Sequence, residues 1–268
     1  MLEEYYVSKP TSLMYLYPDK KSEVTDELLY GTTVKLCDDS YGGFVFCRTE
    51  YGYDGYVDVD NILPKRERGT KFVVLSPFCD FHEYPEYRFS PLVTLPRGSI
   101  VEAQEKDSPD KRFKCLCFNG KSYFVFNKNV KKLSELSVFE NEKQKRGQIV
   151  KTALSYIGTP YRWGGKSTFG IDCSGLCFMS YALCGLPLYR DADFDRRYVR
   201  KIPFEELLPS DLIYYNGHIT MYTGHNSYIH SSATLGGVKM GSFDEKSADF
   251  YPKLSGEIVC CARSIFFK

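Results

Sequence analysis

The sequence has almost no net charge. Its 35 Lys and Arg against 34 Asp and Glu leave +1 over 268 residues, which removes the main electrostatic argument for a nucleic-acid or anionic-membrane partner. No apolar run approaches the ~18 residues that a membrane-crossing helix needs. Met1 to Pro10 carries Glu3 and Glu4 and no apolar core, so it does not read as a signal peptide, and a cytoplasmic location is expected. No two of the ten cysteines have CxxC spacing, which argues against a zinc site. What is present is ordinary for a folded chain: 43% hydrophobic and 26% charged residues, enough to bury a core. The cysteines read as reduced thiols used as small core residues. Aromatics are abundant, with 22 Tyr and 19 Phe, and fall in short runs between turn residues. At roughly 150 residues per domain, the length suggests about two domains.

The first part of the chain reads as β structure. Val34–Cys37 and Phe44–Cys47 alternate, with glycine punctuation at Tyr41-Gly42-Gly43 and Tyr51-Gly52-Tyr53-Asp54-Gly55. Short strands with such turns predict a small barrel or sandwich. The pattern then restarts. Lys71–Leu75 matches Glu4–Val7, Leu95–Val101 matches Leu29–Val34, Phe113–Cys117 matches Phe44–Cys47, and Ser122–Val125 matches Gly55–Val57. Two copies of one β module are therefore expected, at 1–67 and 68–136, joined by the basic linker Pro64–Gly69.

From 137 to 268 the pattern changes to α+β, with helices first and antiparallel strands after. Ile149, Val150, Ala153, Leu154 and Ile157 fall at helical spacing, which predicts a helix over 140–157 that Gly158 and Pro160 stop. A second helix is expected from Cys173 to about Cys184. Strands are expected at 211–215, 218–223, 227–231 and 257–264.

The sharpest chemical feature is Asp172-Cys173-Ser174-Gly175, which follows glycines at 164, 165 and 170. Asp172 suits an N-cap, and Cys173 would then sit in the first helical turn. The positive end of the helix dipole favours a thiolate there, and the thiolate is a nucleophile. A buried cysteine that merely opens a helix is the bland alternative; Cys177 and Cys184 fit it better. Such a nucleophile needs a base and a group to orient that base. His218 and His230 lie on neighbouring strands, and a three-residue loop Gly224-His225-Asn226 would put both on one sheet face. His225 is expected in solvent, and His82 has no visible partner.

These residues reach a family. Gly158–Gly165, Asp172–Leu176, Leu208–Tyr215, His218–Gly224 and Tyr228–Ser231, in that order, resemble the NlpC/p60 cell-wall cysteine peptidases, and the resemblance covers 138–268, about half the chain. It implies a papain-like catalytic domain, preceded here by two small all-β modules that resemble bacterial SH3-like barrels. It also implies cleavage of peptidoglycan stem peptides, with Cys173 as nucleophile, His218 as general base and His230 as orienter. Tyr161 resembles the family tyrosine beside the nucleophile, and the Cys173 N–H should serve an oxyanion hole. Cys–His chemistry needs no cofactor and no metal, and none is implied.

The two modules in front resemble the layout of cytoplasmic recycling enzymes of the YkfC kind. That implies a γ-D-glutamyl-L-diamino-acid endopeptidase requiring a free N-terminal L-alanine, with a murein tri- or tetrapeptide such as L-Ala-γ-D-Glu-diamino acid as its partner. Arg190-Asp191-Ala192-Asp193 resembles the subgroup's Arg-Asp segment, so Asp191 would bind the substrate ammonium. Asp172 and Ser174 would hold the γ-D-glutamyl end, and Tyr53 and Glu23 would be the first module's contribution. Three positions depart from the pattern. Ser210 stands where glycine is common, Ala192 lacks a hydroxyl often found there, and Tyr56 replaces a frequent Trp. A secreted hydrolase of broader specificity, a non-catalytic module and an acyltransferase or amidase remain open as alternatives.

Overall fold

Alternation of inward apolar and outward polar side chains builds the first half of the chain from short strands. In Thr11–Tyr15, Ser12 and Met14 point inward; in Phe78–Phe81, Cys79 and Phe81 do. A computed structural model of the chain describes residues 4–38, 40–65 and 69–268. It divides into two compact units, Met1–Leu136 and Ser137–Lys268. Arg66, Glu67 and Arg68 of the expected linker lie outside the described residues, and the expected boundary at 67/68 falls on them.

Unit one holds a seven-stranded sheet and a five-stranded sheet, with an added hairpin formed by Phe78–Phe81 and Val93–Pro96. The pairing pattern repeats. Glu4–Val7 lies between Thr33–Leu36 and Ile62–Pro64, and Thr33–Leu36 leads through Phe44–Thr49 to Asp54–Asp58. Thr70–Val74 lies in the same way between Ile100–Lys106 and Val130–Lys132, and Ile100–Lys106 leads through Phe113–Phe118 to Lys121–Phe126. Each set closes a core of its own. Val7, Met14, Leu28, Val34, Val45, Cys47, Val57 and Ile62 form one. Phe72, Phe81, Leu95, Leu116 and Val125 lie in the other. The sets meet through backbone: the Ile100 N–H donates to the Tyr30 carbonyl over 2.8 Å. A Cβ on Gly31 would lie 1.8 Å from the Ile100 carbonyl oxygen, and Gly31 has a φ of +81°, so only glycine fits there.

Unit two packs one helix on a six-stranded antiparallel sheet and a second helix against the first. The strand order is Val199–Ile202, Cys260–Ser264, Leu212–Tyr215, His218–Gly224, Ser227–Ser232, Gly237–Ser242. Helix α1 runs Glu142–Leu154, shorter than expected at both ends. Asn141 is its N-cap, accepting the Gln144 N–H, so Glu140 lies outside the helix. Ser155 caps the other end before Ile157. Helix α2 spans Cys173–Ala182, and every residue from Cys173 to Tyr181 is buried, as expected for a helix enclosed on all sides. The last strand begins at Cys260 instead of 257, because Pro252–Gly256 forms a short helix, α3. The edge strands Val199–Ile202 and Gly237–Ser242 carry no strong alternation and were not expected from sequence.

A buried ion-pair network ties this unit together. Asp211, fully buried, accepts from Arg146 of α1 at 2.7 Å and from Arg263 of the Cys260–Ser264 strand at 2.8 Å. It also takes the Leu208 N–H at 2.9 Å, and the Phe267 ring covers the Arg146 guanidinium. Ser210, just before it, has a φ of 78°, the left-handed region that favours glycine. The departure from glycine at this position therefore keeps the same turn at some backbone cost, partly offset by the bond from Arg146 to the Ser210 hydroxyl.

Candidate active site

Asp172 opens α2 as the sequence suggests. Its extended backbone and its carboxylate, which accepts the Gly175 N–H, make it the N-cap. Cys173 is the first helical residue, and the Ser174 and Ile219 N–H groups both reach its sulfur. The Ile219 contact places the thiol beside the strand that carries His218. A second tie joins the helix start to the histidine sheet: the Ser231 hydroxyl donates to the Ile171 carbonyl over 2.6 Å. A side chain on Gly175 would meet the Gly165 carbonyl at 2.3 Å, so the glycine lets the preceding turn close against the helix.

The two histidines share one sheet face, by a different route from the one expected. Gly224 pairs with Ser227, so the loop is the two-residue turn His225-Asn226, with φ of 52° and 55°. That is the backbone of a type I′ hairpin turn. Alone it would put His218 and His230 on opposite faces. A bulge between Tyr222 and Gly224 inserts one residue, and the register continues with Tyr222 opposite Tyr228 and Met221 opposite Ile229. The bulge restores the parity. His218 Nε2 lies 2.9 Å from His230 Nδ1.

Tautomers follow from this contact. For His218 to accept a proton at its free Nδ1, its Nε2 must carry hydrogen and donate to His230 Nδ1. His230 then keeps its own proton on Nε2, a buried atom with no partner among the described residues. In that arrangement the His230 ring is neutral and accepts from His218. Burial pushes both rings down to about 4; the Lys253 charge adds to this at His218, and the neighbouring His218 adds to it at His230.

The expected thiolate meets a correction. Burial, then the Asp172 carboxylate, push Cys173 up to about 11, against the pull of the Ile219 and Ser174 N–H groups and Arg190. The desolvation of a buried sulfur outweighs the helix terminus. Burial thus favours the neutral form of the thiol and of both imidazoles. A pH profile follows. His218 works as a base only when neutral. With its value lowered from 6.5 to about 4, kcat/KM is expected to stay level as pH falls through the ordinary histidine range and to drop only near 4. A fall centred near 6.5 would contradict this neutral resting pair.

Cys173, His218, His230 and Tyr161 line one cavity of about 230 Å³, together with Tyr215, Asn216 and residues of the Tyr251–Glu257 segment. Burial, then the neighbouring Cys173, push the Tyr161 hydroxyl up to about 12, so it remains a hydrogen-bond donor. Asp172 and Ser174 lie elsewhere, in a buried network around Arg190. Arg190 donates to both Asp172 oxygens at 3.1 and 3.0 Å, to the Ser174 hydroxyl at 2.9 Å and to the Gly164 carbonyl at 2.8 Å. Asp191 is half-buried beside Tyr189, whose hydroxyl it helps keep protonated. Tyr53 packs on the first core of unit one, and Glu23 is exposed in the turn before Val24–Leu29. His225 is exposed in its turn; His82 is buried in unit one, its ring edge-on to Tyr87. Among the described residues no three His, Cys, Asp or Glu side chains converge as a metal site requires.

Sequence reasoning missed the Arg190 hub, the two arginines on Asp211, and the cavity residues Asn216, Lys253 and Glu257. Asn216-Gly217 was readable: this dipeptide is a strong hairpin signal, and Tyr215 pairs with His218 across it.

Known proteins resemble this chain in both sequence and fold. The model of the NlpC/P60 family matches residues 158–251. Dipeptidyl-peptidase 6 of Lysinibacillus sphaericus is 32% identical over 242 residues, 87% of this chain and 89% of its own length. The gamma-D-glutamyl-L-lysine dipeptidyl-peptidase of Bacillus subtilis (strain 168) is 27% identical over 118 residues, 41% of this chain and 40% of its own. The crystal structure of an NlpC/P60 family protein from Bacillus cereus ATCC 10987 superposes with a TM-score of 0.79 at 16% identity, over 97% of this chain and 99% of that one.

Proposed function

The chain belongs to the NlpC/P60 family, and from that premise we propose that it is a cysteine endopeptidase cleaving the γ-D-glutamyl–diamino acid bond of murein stem peptides that begin with a free L-alanine. One observation carries the reading: the helix-opening Cys173 shares a cavity with the 2.9 Å His218–His230 pair. The relatives' names, a dipeptidyl-peptidase and a gamma-D-glutamyl-L-lysine dipeptidyl-peptidase, support the substrate class.

In this reading the Cys173 proton passes to His218 Nδ1 as the sulfur attacks the γ-carbonyl of D-glutamate. The oxyanion meets N–H groups of the first turn of α2 and the Tyr161 hydroxyl. His218 returns the proton to the leaving amine of the diamino acid, and a thioester remains. Water, deprotonated by the same nitrogen, hydrolyses it and restores the thiol. Asp172 and Ser174 act through Arg190 to fix the helix start beside the D-glutamyl residue. Asp191 takes the substrate ammonium. The two repeats of unit one, at 1–67 and 68–136, are proposed as SH3-like barrels, with Tyr53 and Glu23 as the first module's contribution to substrate. A cytoplasmic location fits recycling of peptides already cut from the wall.

The test compares L-Ala-γ-D-Glu-meso-diaminopimelate with its N-acetyl form. Capping the amine removes the charge proposed to pair with Asp191, so kcat/KM is expected to fall about 10²-fold or more. Equal rates would leave a peptidase without the free-amine requirement.

A further inference from the structure

The cavity is walled in part by Tyr251, Lys253, Leu254 and Glu257. Leu254 is buried and anchors this short segment in the core formed by Ile213, Tyr215 and Cys261. Lys253 and Glu257, four residues apart, are exposed at the cavity. At that spacing opposite charges can meet, yet among the described residues neither forms an ion pair. His218 lines the same cavity as this wall, and the Lys253 charge acts on it.

The chemistry orients the substrate. A general acid must touch the atom that it protonates. The leaving amine therefore sits at His218, and the rest of the leaving residue extends past it. A side chain entering there meets one cation and one anion. We infer that Lys253 and Glu257 select the leaving diamino acid, accepting a side chain that ends in both a carboxylate and an ammonium, as in meso-diaminopimelate, over one ending in an ammonium alone, as in lysine. The carboxylate pairs with Lys253 and the ammonium with Glu257. A lysine side chain can offer its cation to Glu257 but brings no carboxylate for Lys253, which then faces a second cation, so the wall discriminates by repulsion as well as attraction. The inference rests on the endopeptidase reading above and adds to it the identity of the leaving residue. Both charges are exposed and screened, so the preference should be about five- to tenfold in kcat/KM.

The experiment measures kcat/KM for L-Ala-γ-D-Glu-X, with X as meso-diaminopimelate, meso-diaminopimelate amidated at its distal carboxylate, or L-lysine. Wild type, Lys253→Met and Lys253→Glu are compared by the ratio between substrates, which cancels any change that Lys253 causes at His218. Wild type should prefer the first peptide over the other two. Lys253→Met should narrow the ratio, and Lys253→Glu should abolish or invert it. Equal rates for all three peptides, or an unchanged ratio in Lys253→Glu, would overturn the inference while leaving the peptidase standing. Failure of folded wild type to cleave any of them would overturn the endopeptidase reading, and this inference with it.

Discussion

Cys173→Ala is expected to lower kcat/KM by about 10⁴-fold or more in a protein that still folds. Alanine is a good helix former at the first residue of α2, and Asp172 still caps the helix through the Gly175 N–H. What is lost is the sulfur that the proposed mechanism uses as its nucleophile. His218→Ala should cost a similar factor, because the thiol, pushed up to about 11, loses the imidazole proposed to take its proton. His230→Ala should cost less, about 10²-fold, since the base remains but swings free. His230→Asn should recover part of that loss, because its side-chain oxygen can accept the His218 Nε2–H as Nδ1 does. Kinetics on purified variants, with circular dichroism to establish folding, check the ranking. Equal losses for His230→Ala and His230→Asn would argue against the orienting hydrogen bond.

Asp211→Ala is expected to be the most damaging substitution for stability. Asp211 is fully buried and stands between two nearly buried arginines, Arg146 and Arg263. Removing it strips Arg263 of its paired carboxylate and leaves Arg146 only the partly exposed Glu142, at a cost of about 3–5 kcal/mol. In a unit of this size that lowers Tm by on the order of 10–20 °C. The Arg197–Asp195 pair is as short, at 2.6 Å, but Arg197 is exposed and solvent screens it, and Arg197→Ala should cost less than about 1 kcal/mol. Thermal unfolding of the two variants separates burial from distance as the cause. The substitution also has a functional reach, since Asp211 fixes the start of Leu212–Tyr215, the strand that turns at Asn216-Gly217 into His218.

The chemistry was readable in the sequence where it is local. Asp172-Cys173-Ser174-Gly175 announces a capped helix start, because the cap, the first helical thiol and the close-approach glycine fall within four residues. The two histidines were readable as a pair through strand parity, although the loop itself was not: a two-residue turn and a bulge produce the same face as one three-residue loop. The end of α1 was misjudged because Asn141 competes with Glu140 for the first turn, a choice made by one side-chain hydrogen bond. What stayed hidden is long-range. Arg190 meets Asp172, Arg146 and Arg263 meet Asp211, and Lys253 reaches His218 only after the sheet forms. In isolation each of these three arginines, and Lys253, looks like an ordinary surface charge. The chain spacing between partners carries no periodic signal, so only the folded chain reveals them.

The most direct measurement is mass spectrometry of the products released from L-Ala-γ-D-Glu-meso-diaminopimelate by wild type and by Cys173→Ala. L-Ala-D-Glu and free diaminopimelate are predicted from wild type, and nothing above background from the variant. Cutting at the L-Ala–D-Glu bond instead, or turnover that persists in Cys173→Ala, would contradict the account.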